Sequence, residues 1–305
     1  MALDLIQLPE DIVPPTNIAP TVLILYSLPK VGKTNILAQL PGNLIIDLEG
    51  GTEKIAAKKM KVVGIKAPFP QGETDEQALF RRGTVNKDGT PKLPEYYLTE
   101  VIKALKARGQ KYKYLTIDTI STLEDWCVEY GTELYMLSTA GKTYNRYTRD
   151  DQNKSGGVLI EGTLKPKAQW ETVIHLGHGY GYRWLYEAFS KILEAFAACT
   201  EHLILTGHLR YSVISKKTNE EVNSKDLALT GKLKQYATGL VADSIGYMHR
   251  RENKNFINFR PSDEVFAGSR CAHIEGKDVL ISEKLEDGTI KVYWENIYPD
   301  LAKVV

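Results

Sequence analysis

The stretch "TVLILYSLPKVGKTN", residues 21–35, constrains the fold of this chain more than any other. Thr21–Tyr26 is an unbroken apolar and β-branched run, the pattern of a strand buried on both faces. A turn containing Pro29 follows, and Lys33–Leu40 has helical spacing closed by "PGN". Strand, loop ending in Gly-Lys-Thr, and helix in this register wrap backbone amides around a phosphate. Gly32 lets the backbone come close to that phosphate, Lys33 reaches the β- and γ-phosphates, and the Thr34 hydroxyl holds Mg²⁺. Residues Ser27, Leu28, Pro29, Lys30, Val31, Gly32, Lys33, Thr34 and Asn35 therefore form a candidate site for ATP with Mg²⁺. Ser27 stands where the pattern has glycine. Serine serves there if the local dihedrals are ordinary, so a Ser27→Gly chain is expected to bind ATP about as well.

Acidic residues fall where such a site needs them. "YLTID" (Tyr114–Asp118) is a buried strand ending in Asp118, which would order Mg²⁺ and its water. Asp118 is open to a second reading as the cap of the helix over about 120–130, a role its neighbour Thr119 also fits. "NLIIDLEGG" is another buried strand, Leu44–Leu48, with Asp47 and Glu49 at its end. A carboxylate there can orient a water as general base. Glu49 is the better placed, Asp47 either belongs inside the strand or would support Mg²⁺ through water, and Glu53 reads as surface.

The rest of the chain alternates strands and helices, which means an α/β sheet with ligands at the strands' carboxyl ends. Residues 1–20 hold Pro9, Pro14, Pro15 and Pro20 and read as an arm. Residues 54–94 are polar and turn-rich, with a short helix and strand only near "IAAKKMKVVGI". Helical spacing returns in "YYLTEVIKALKARG", and Tyr182–Thr200 is strongly amphipathic. "EHLILTGH" is a strand ending in His208, and 210–226 is hairpin-like. "LVADSIGYMHR" and "KNFINFRP" read as an antiparallel pair, and the DG of "LEDGTIKV" as a turn between strands. The expected organisation is an arm over 1–20, a core over 21–260 with an insertion at about 131–182, and a β-rich extension over 261–305. With 43% hydrophobic and 25% charged residues and a net charge of +1, nothing global advertises nucleic-acid binding. Cys127, Cys199 and Cys271 lie far apart, which fits a reducing compartment and argues against disulfides or a zinc knuckle. No leader or membrane span is read, so the expected location is cytoplasmic.

"SLPKVGKT" followed closely by "NLIIDLEGGTE" resembles the RecA-like ATPases, specifically the phage-encoded branch of AAA-type or single-strand-annealing-associated ATPases. The resemblance implies a RecA-like P-loop core with a mostly parallel sheet and antiparallel strands toward the C-terminus. By it Glu49 is the catalytic glutamate, Lys33 and Asp118 act with it, and His208 senses the γ-phosphate where many relatives carry glutamine. The residues alone leave His208 equally open to a structural role. "GKLKQYATGLVADSIGYMHR" is similar to the stretch following the family's second DNA-binding loop.

Two stretches are candidate single-strand surfaces. Between Thr139 and Arg183 lie Lys142, Arg146, Arg149, Lys154, Lys165, Lys167 and Arg183, interleaved with Tyr144, Tyr147, Trp170, Tyr180 and Tyr182. Cations neutralise phosphates and aromatic rings stack bases without regard to sequence; an ordinary solvated insertion is the competing reading. The second stretch, 210–235, carries Arg210, Lys216, Lys217, Lys225, Lys232 and Lys234. Lys232 or Lys234 is also a candidate cation for a neighbouring subunit's site. The expected function is an ATP-hydrolysing protein acting on single-stranded DNA in phage recombination or replication. Its expected partners are that DNA, a single-strand-binding protein and copies of itself in a ring or filament. The competing functions are an ATP-gated assembly protein without significant turnover, a helicase or packaging-type motor, and a small-molecule kinase.

Overall fold

Apolar strands that must satisfy every backbone group pair with one another and hide both faces under helices. The computed structural model, which describes residues 17–67, 72–139, 141, 157–160, 163–166, 172–215 and 221–304, is built this way around the first strand. The elements in chain order are β1 (Val22–Ser27), α1 (Lys33–Ala38), β2 (Asn43–Asp47), β3 (Lys59–Val62), α2 (Asp75–Arg82), β4 (Glu95–Tyr96) and α3 (Leu98–Ala107). Then come β5 (Tyr112–Asp118), α4 (Ile120–Leu137), β6 (Gly157–Ile160), β7 (Thr163–Pro166), α5 (Gly181–Ala197), β8 (Thr200–Ser215), β9 (Glu221–Leu227) and α6 (Gly231–Gln235). A π-helical turn, Tyr236–Val241, leads into β10 (Ser244–Arg251), β11 (Lys254–Asn258), β12 (Gly268–Ser269), β13 (Asp278–Lys284) and β14 (Ile290–Val292).

The main sheet runs β14-β13-β11-β10-β1-β8-β5-β2-β3-β4. From β10 to β4 every neighbouring pair is parallel, whereas β10–β11, β11–β13 and β13–β14 are antiparallel. This is an α/β fold with a central mixed sheet flanked by helices, as in a RecA-like P-loop core. Residues beyond 260 continue the same sheet, since β13 pairs with β11 from Lys254 to Asn258.

The alternation within β1 divides the core. Val22, Ile24 and Tyr26 face one side, packed with apolar residues of α3, α4 and α5. Leu23 and Leu25 face the other, where Ile36 and Leu37 of α1 meet Ile257, Phe259, Ile281 and Trp294. The indole of Trp294 also donates to the Ile36 carbonyl at 2.8 Å, tying the C-terminal region to α1. A Cβ on Gly131 would stand 2.9 Å from the Trp184 carbonyl oxygen, so glycine is what lets α4 and α5 approach so closely.

Two elements differ from the sequence expectation. The polar 54–94 stretch contains α2, started by a capping box in which Thr74 and Gln77 exchange side chain and backbone bonds. The helix after Asp118 runs on to Leu137 because Tyr135 continues its buried face against Trp184 and Tyr180.

Candidate functional site

The phosphate-loop candidate leaves β1 at its carboxyl end and turns twice through left-handed conformations, at Lys30 (φ 63°) and Gly32 (φ 109°). Ser27 is not among the positive-φ residues, so its position does not need glycine's freedom. Its hydroxyl has a task instead. Lys33 is 8% exposed, and its ammonium donates to Ser27 Oγ at 2.8 Å, while that hydroxyl donates to the Leu28 carbonyl at 2.7 Å. Burial lowers the Lys33 pKa, and the carboxylates of Asp118 and Glu49 partly offset this.

The parallel strands β2 and β5 bring the acidic groups to the same end of the sheet. Asp47 pairs in register with Asp118, and Ser27 with His208, so the ends of β2 and β5 lie side by side and the end of β1 lies beside His208 of the longer β8. Thr34 donates to Asp118 Oδ2 at 3.0 Å, and the buried Thr206 hydroxyl donates to Oδ1. Burial raises the Asp118 pKa against the pull of these two hydroxyls. The hydroxyl–carboxylate pair of Thr34 and Asp118 suits a hard cation that keeps several waters and substrate oxygens. Among the described residues no group of three or more His, Cys, Asp or Glu forms an all-protein metal cage.

Glu49 is held by one oxygen. Thr119 and Thr122 hydroxyls donate to Oε1 at 2.6 and 2.9 Å, and His208 Nε2 lies 2.7 Å from it. Burial opposes the charge on Glu49, but the Thr119 hydroxyl and the His208 imidazole outweigh it, and the pKa falls below the ordinary value. An ionised carboxylate only accepts, so His208 carries its proton on Nε2. Oε2 of Glu49 takes no hydrogen bond from any described residue. Thr206 and His208 stand two apart on β8 and so share a face; one strand thus holds both Asp118 and Glu49.

Of the two readings of Asp47, the structure favours a place inside the strand over support of Mg²⁺. It is fully buried: Oδ1 accepts the N–H groups of Glu49, Gly50 and Gly51, and Oδ2 accepts the N–H and hydroxyl of Thr52. Both oxygens are spent on the turn that presents Glu49, leaving none for a metal-bound water. Glu53 is an exposed partner of Lys61, in keeping with a surface residue.

The cleft at this end of the sheet has a volume of about 560 Å³. Pro29, Lys30, Gly32, Lys33, Thr34 and Asn35 line one side, and Glu49, Asp118, Thr119 and His208 the other. Leu28 and Val31 belong to the loop but not to the lining, and Ser27 lies beneath it. Among the described residues no acceptor takes the N–H of Gly32, Lys33 or Thr34. Thr119, Thr122 and Thr206 were not legible as site residues except through alternation with His208 and proximity to Asp118.

Of the candidate nucleic-acid residues, Lys142, Arg146, Arg149, Lys154, Lys167, Lys216 and Lys217, with Tyr144, Tyr147 and Trp170, lie outside the described residues. Lys165 falls in β7. Tyr180, Tyr182 and Arg183 are exposed at the start of α5, and Arg210 and Tyr211 on the β8–β9 hairpin. Lys225 lies over the Tyr247 ring. Lys234 donates to Asp226 at 2.5 Å and lies over the Phe266 ring, so it is engaged within its own chain; Lys232 is exposed. No described helix is long and apolar enough to cross a membrane.

Residues 19–150 match the AAA_24 family model, an AAA domain. No curated protein matches the chain. Among solved structures, a KaiC-like protein of the hyperthermophilic archaeon Pyrococcus horikoshii OT3 aligns over 90% of this chain and 89% of its own, at 13% identity and a TM-score of 0.34. The RadB recombinase aligns over 90% of this chain and 92% of its own, at 13% identity and a TM-score of 0.32. The domain match relates residues 19–150 to AAA domains, and an AAA domain implies nucleotide binding in general.

Proposed function

We propose that this chain binds ATP with Mg²⁺ and hydrolyses it while acting on single-stranded DNA, in phage recombination or replication, as an oligomer. The observation that carries the nucleotide reading is the convergence of Lys33, the Thr34–Asp118 pair and Glu49 on one cleft edged by unpaired loop amides. Those amides and Lys33 would take the phosphates, and Thr34 and Asp118 would hold the cation. Bound Mg²⁺ would supply positive charge against the transferring phosphoryl group.

The chain's own residues do the rest. Thr119, Thr122 and His208 fix Glu49 through Oε1, which leaves Oε2 to accept the proton of an attacking water. His208 and Thr206 make β8 the element that senses both acids, and the β8–β9 hairpin grows from that strand. The exposed Tyr211 and Arg210 on the hairpin, with Tyr180, Tyr182 and Arg183, favour a single strand as the ligand because rings and cations together need no base sequence. The test is ATP turnover alone and with single-stranded DNA, duplex DNA and RNA. Stimulation by single-stranded DNA only is expected. Indifference to all three, with an oligomer assembled by ATP, would replace this reading with an assembly protein.

A further inference from the structure

A trans peptide points its C=O and the following N–H to opposite sides. Whatever holds a loop carbonyl therefore aims the next amide. In this chain the Val31 carbonyl accepts a hydrogen bond from Arg250 Nη2 at 3.1 Å. The residue after Val31 is Gly32, whose N–H has no acceptor among the described residues. With Val31 O drawn toward Arg250, the Gly32 N–H is turned the other way.

Arg250 is exposed, yet its guanidinium is not loose. Its Nε donates to Asn255 Oδ1 at 3.1 Å, and Asn255 Nδ2 donates in turn to the buried Ser282 hydroxyl at 2.9 Å. β10, β11 and β13 each contribute one member of this relay, so the main sheet itself fixes the guanidinium. Gly32 packs against it: a Cβ there would lie 3.9 Å from Arg250 Nη2. No local sequence signal connects Arg250 with a loop 219 residues earlier; the parallel pairing of β10 with β1 brings them together.

We propose that Arg250 is a positioning residue of the nucleotide site, which through the Val31 carbonyl aims the Gly32 amide at a phosphate of a bound nucleoside diphosphate or triphosphate. The proposal rests on the nucleotide reading above. Asn255 and Ser282 act through Arg250, and none of the three touches the nucleotide.

The test uses ADP, so that hydrolysis does not intervene. The full chain and its Arg250→Ala, Arg250→Lys and Asn255→Ala variants are titrated with ADP and Mg²⁺, with the Gly32 amide resonance followed in ¹⁵N-labelled protein. Wild type is expected to bind and to shift the Gly32 amide downfield. Arg250→Ala should bind ADP about tenfold more weakly, one charge-assisted bond's worth of alignment, with a smaller Gly32 shift. Arg250→Lys keeps the charge but cannot hold Val31 O and Asn255 together, so it should recover only part of the affinity. Asn255→Ala should follow Arg250→Ala in direction. Unchanged affinity in Arg250→Ala overturns the proposal, as does full recovery by lysine together with wild-type behaviour of Asn255→Ala, which would reduce Arg250 to its charge. Failure of the wild type to bind ADP would overturn the nucleotide reading with it.

Discussion

Ser27 shows how one side chain changes the meaning of a motif. A buried ammonium needs acceptors, and the Ser27 hydroxyl provides one to Lys33. Ser27→Ala should therefore destabilise the free protein by about 1.5–3 kcal/mol. In the proposed nucleotide complex a phosphate takes over the lysine, so the melting-temperature rise on adding ADP should be larger in Ser27→Ala than in wild type. An equal loss with and without ADP would show that the hydroxyl serves packing alone. His208 is the second residue with a sharp consequence. Its imidazole is one of the groups that lower the Glu49 pKa; in the proposed mechanism Glu49 is a base that works deprotonated, so activity should fall as pH drops through that pKa. In His208→Ala the Glu49 pKa should rise toward the ordinary value, and the acid limb of the pH–rate profile should move to higher pH. An unmoved limb in that variant would detach His208 from Glu49.

At the scale of elements, the helix pair α2–α3 carries its own acid-sensitive clasp. Arg81 is 6% exposed and binds Glu73 and Glu100, while Glu100 also accepts the Tyr97 N–H and a bond from Arg82. Burial opposes the Glu100 charge, but Arg81, the Tyr97 amide and Arg82 hold its pKa down to about 2. A carboxylate lowered in the fold stabilises it above its unfolded pKa and loses that contribution as pH falls. Wild type should thus lose its advantage over Glu100→Gln between about pH 4.5 and pH 2, read by acid titration of helical circular dichroism. Parallel curves for the two proteins would contradict the clasp. The capping box of α2 was legible as Thr74-x-x-Gln77, but its polar, eight-residue helix lacked an apolar stripe long enough to stand out. The buried strands were plain because each is apolar on both faces, as β1 is. What the sequence hid was side-chain direction: Asp47 and Glu49 sit two apart, yet a tight turn sends one beneath the cleft and the other into it. Arg250 was hidden for a different reason, since only strand order places it beside the loop.

For the molecule as a whole, the sheet is what makes a site from scattered residues. Parallel strands place Ser27 in register with His208 and Asp47 in register with Asp118, and Arg250 of β10 and Trp294 beyond β14 brace the loop and α1. Motif order alone singled out the loop with Thr34, Glu49 and Asp118 as candidates; Thr119, Thr122 and Thr206, which hold these acids, come from the fold. The central claim is that this cleft turns over ATP through Lys33. Its most direct measurement is the rate of Mg²⁺-dependent phosphate release from ATP by wild type and by Lys33→Ala, at matched protein concentration and with single-stranded DNA present. The account predicts turnover by wild type and a loss of at least about 100-fold in Lys33→Ala, the scale on which removing charge stabilisation acts. A wild-type rate in Lys33→Ala would contradict it.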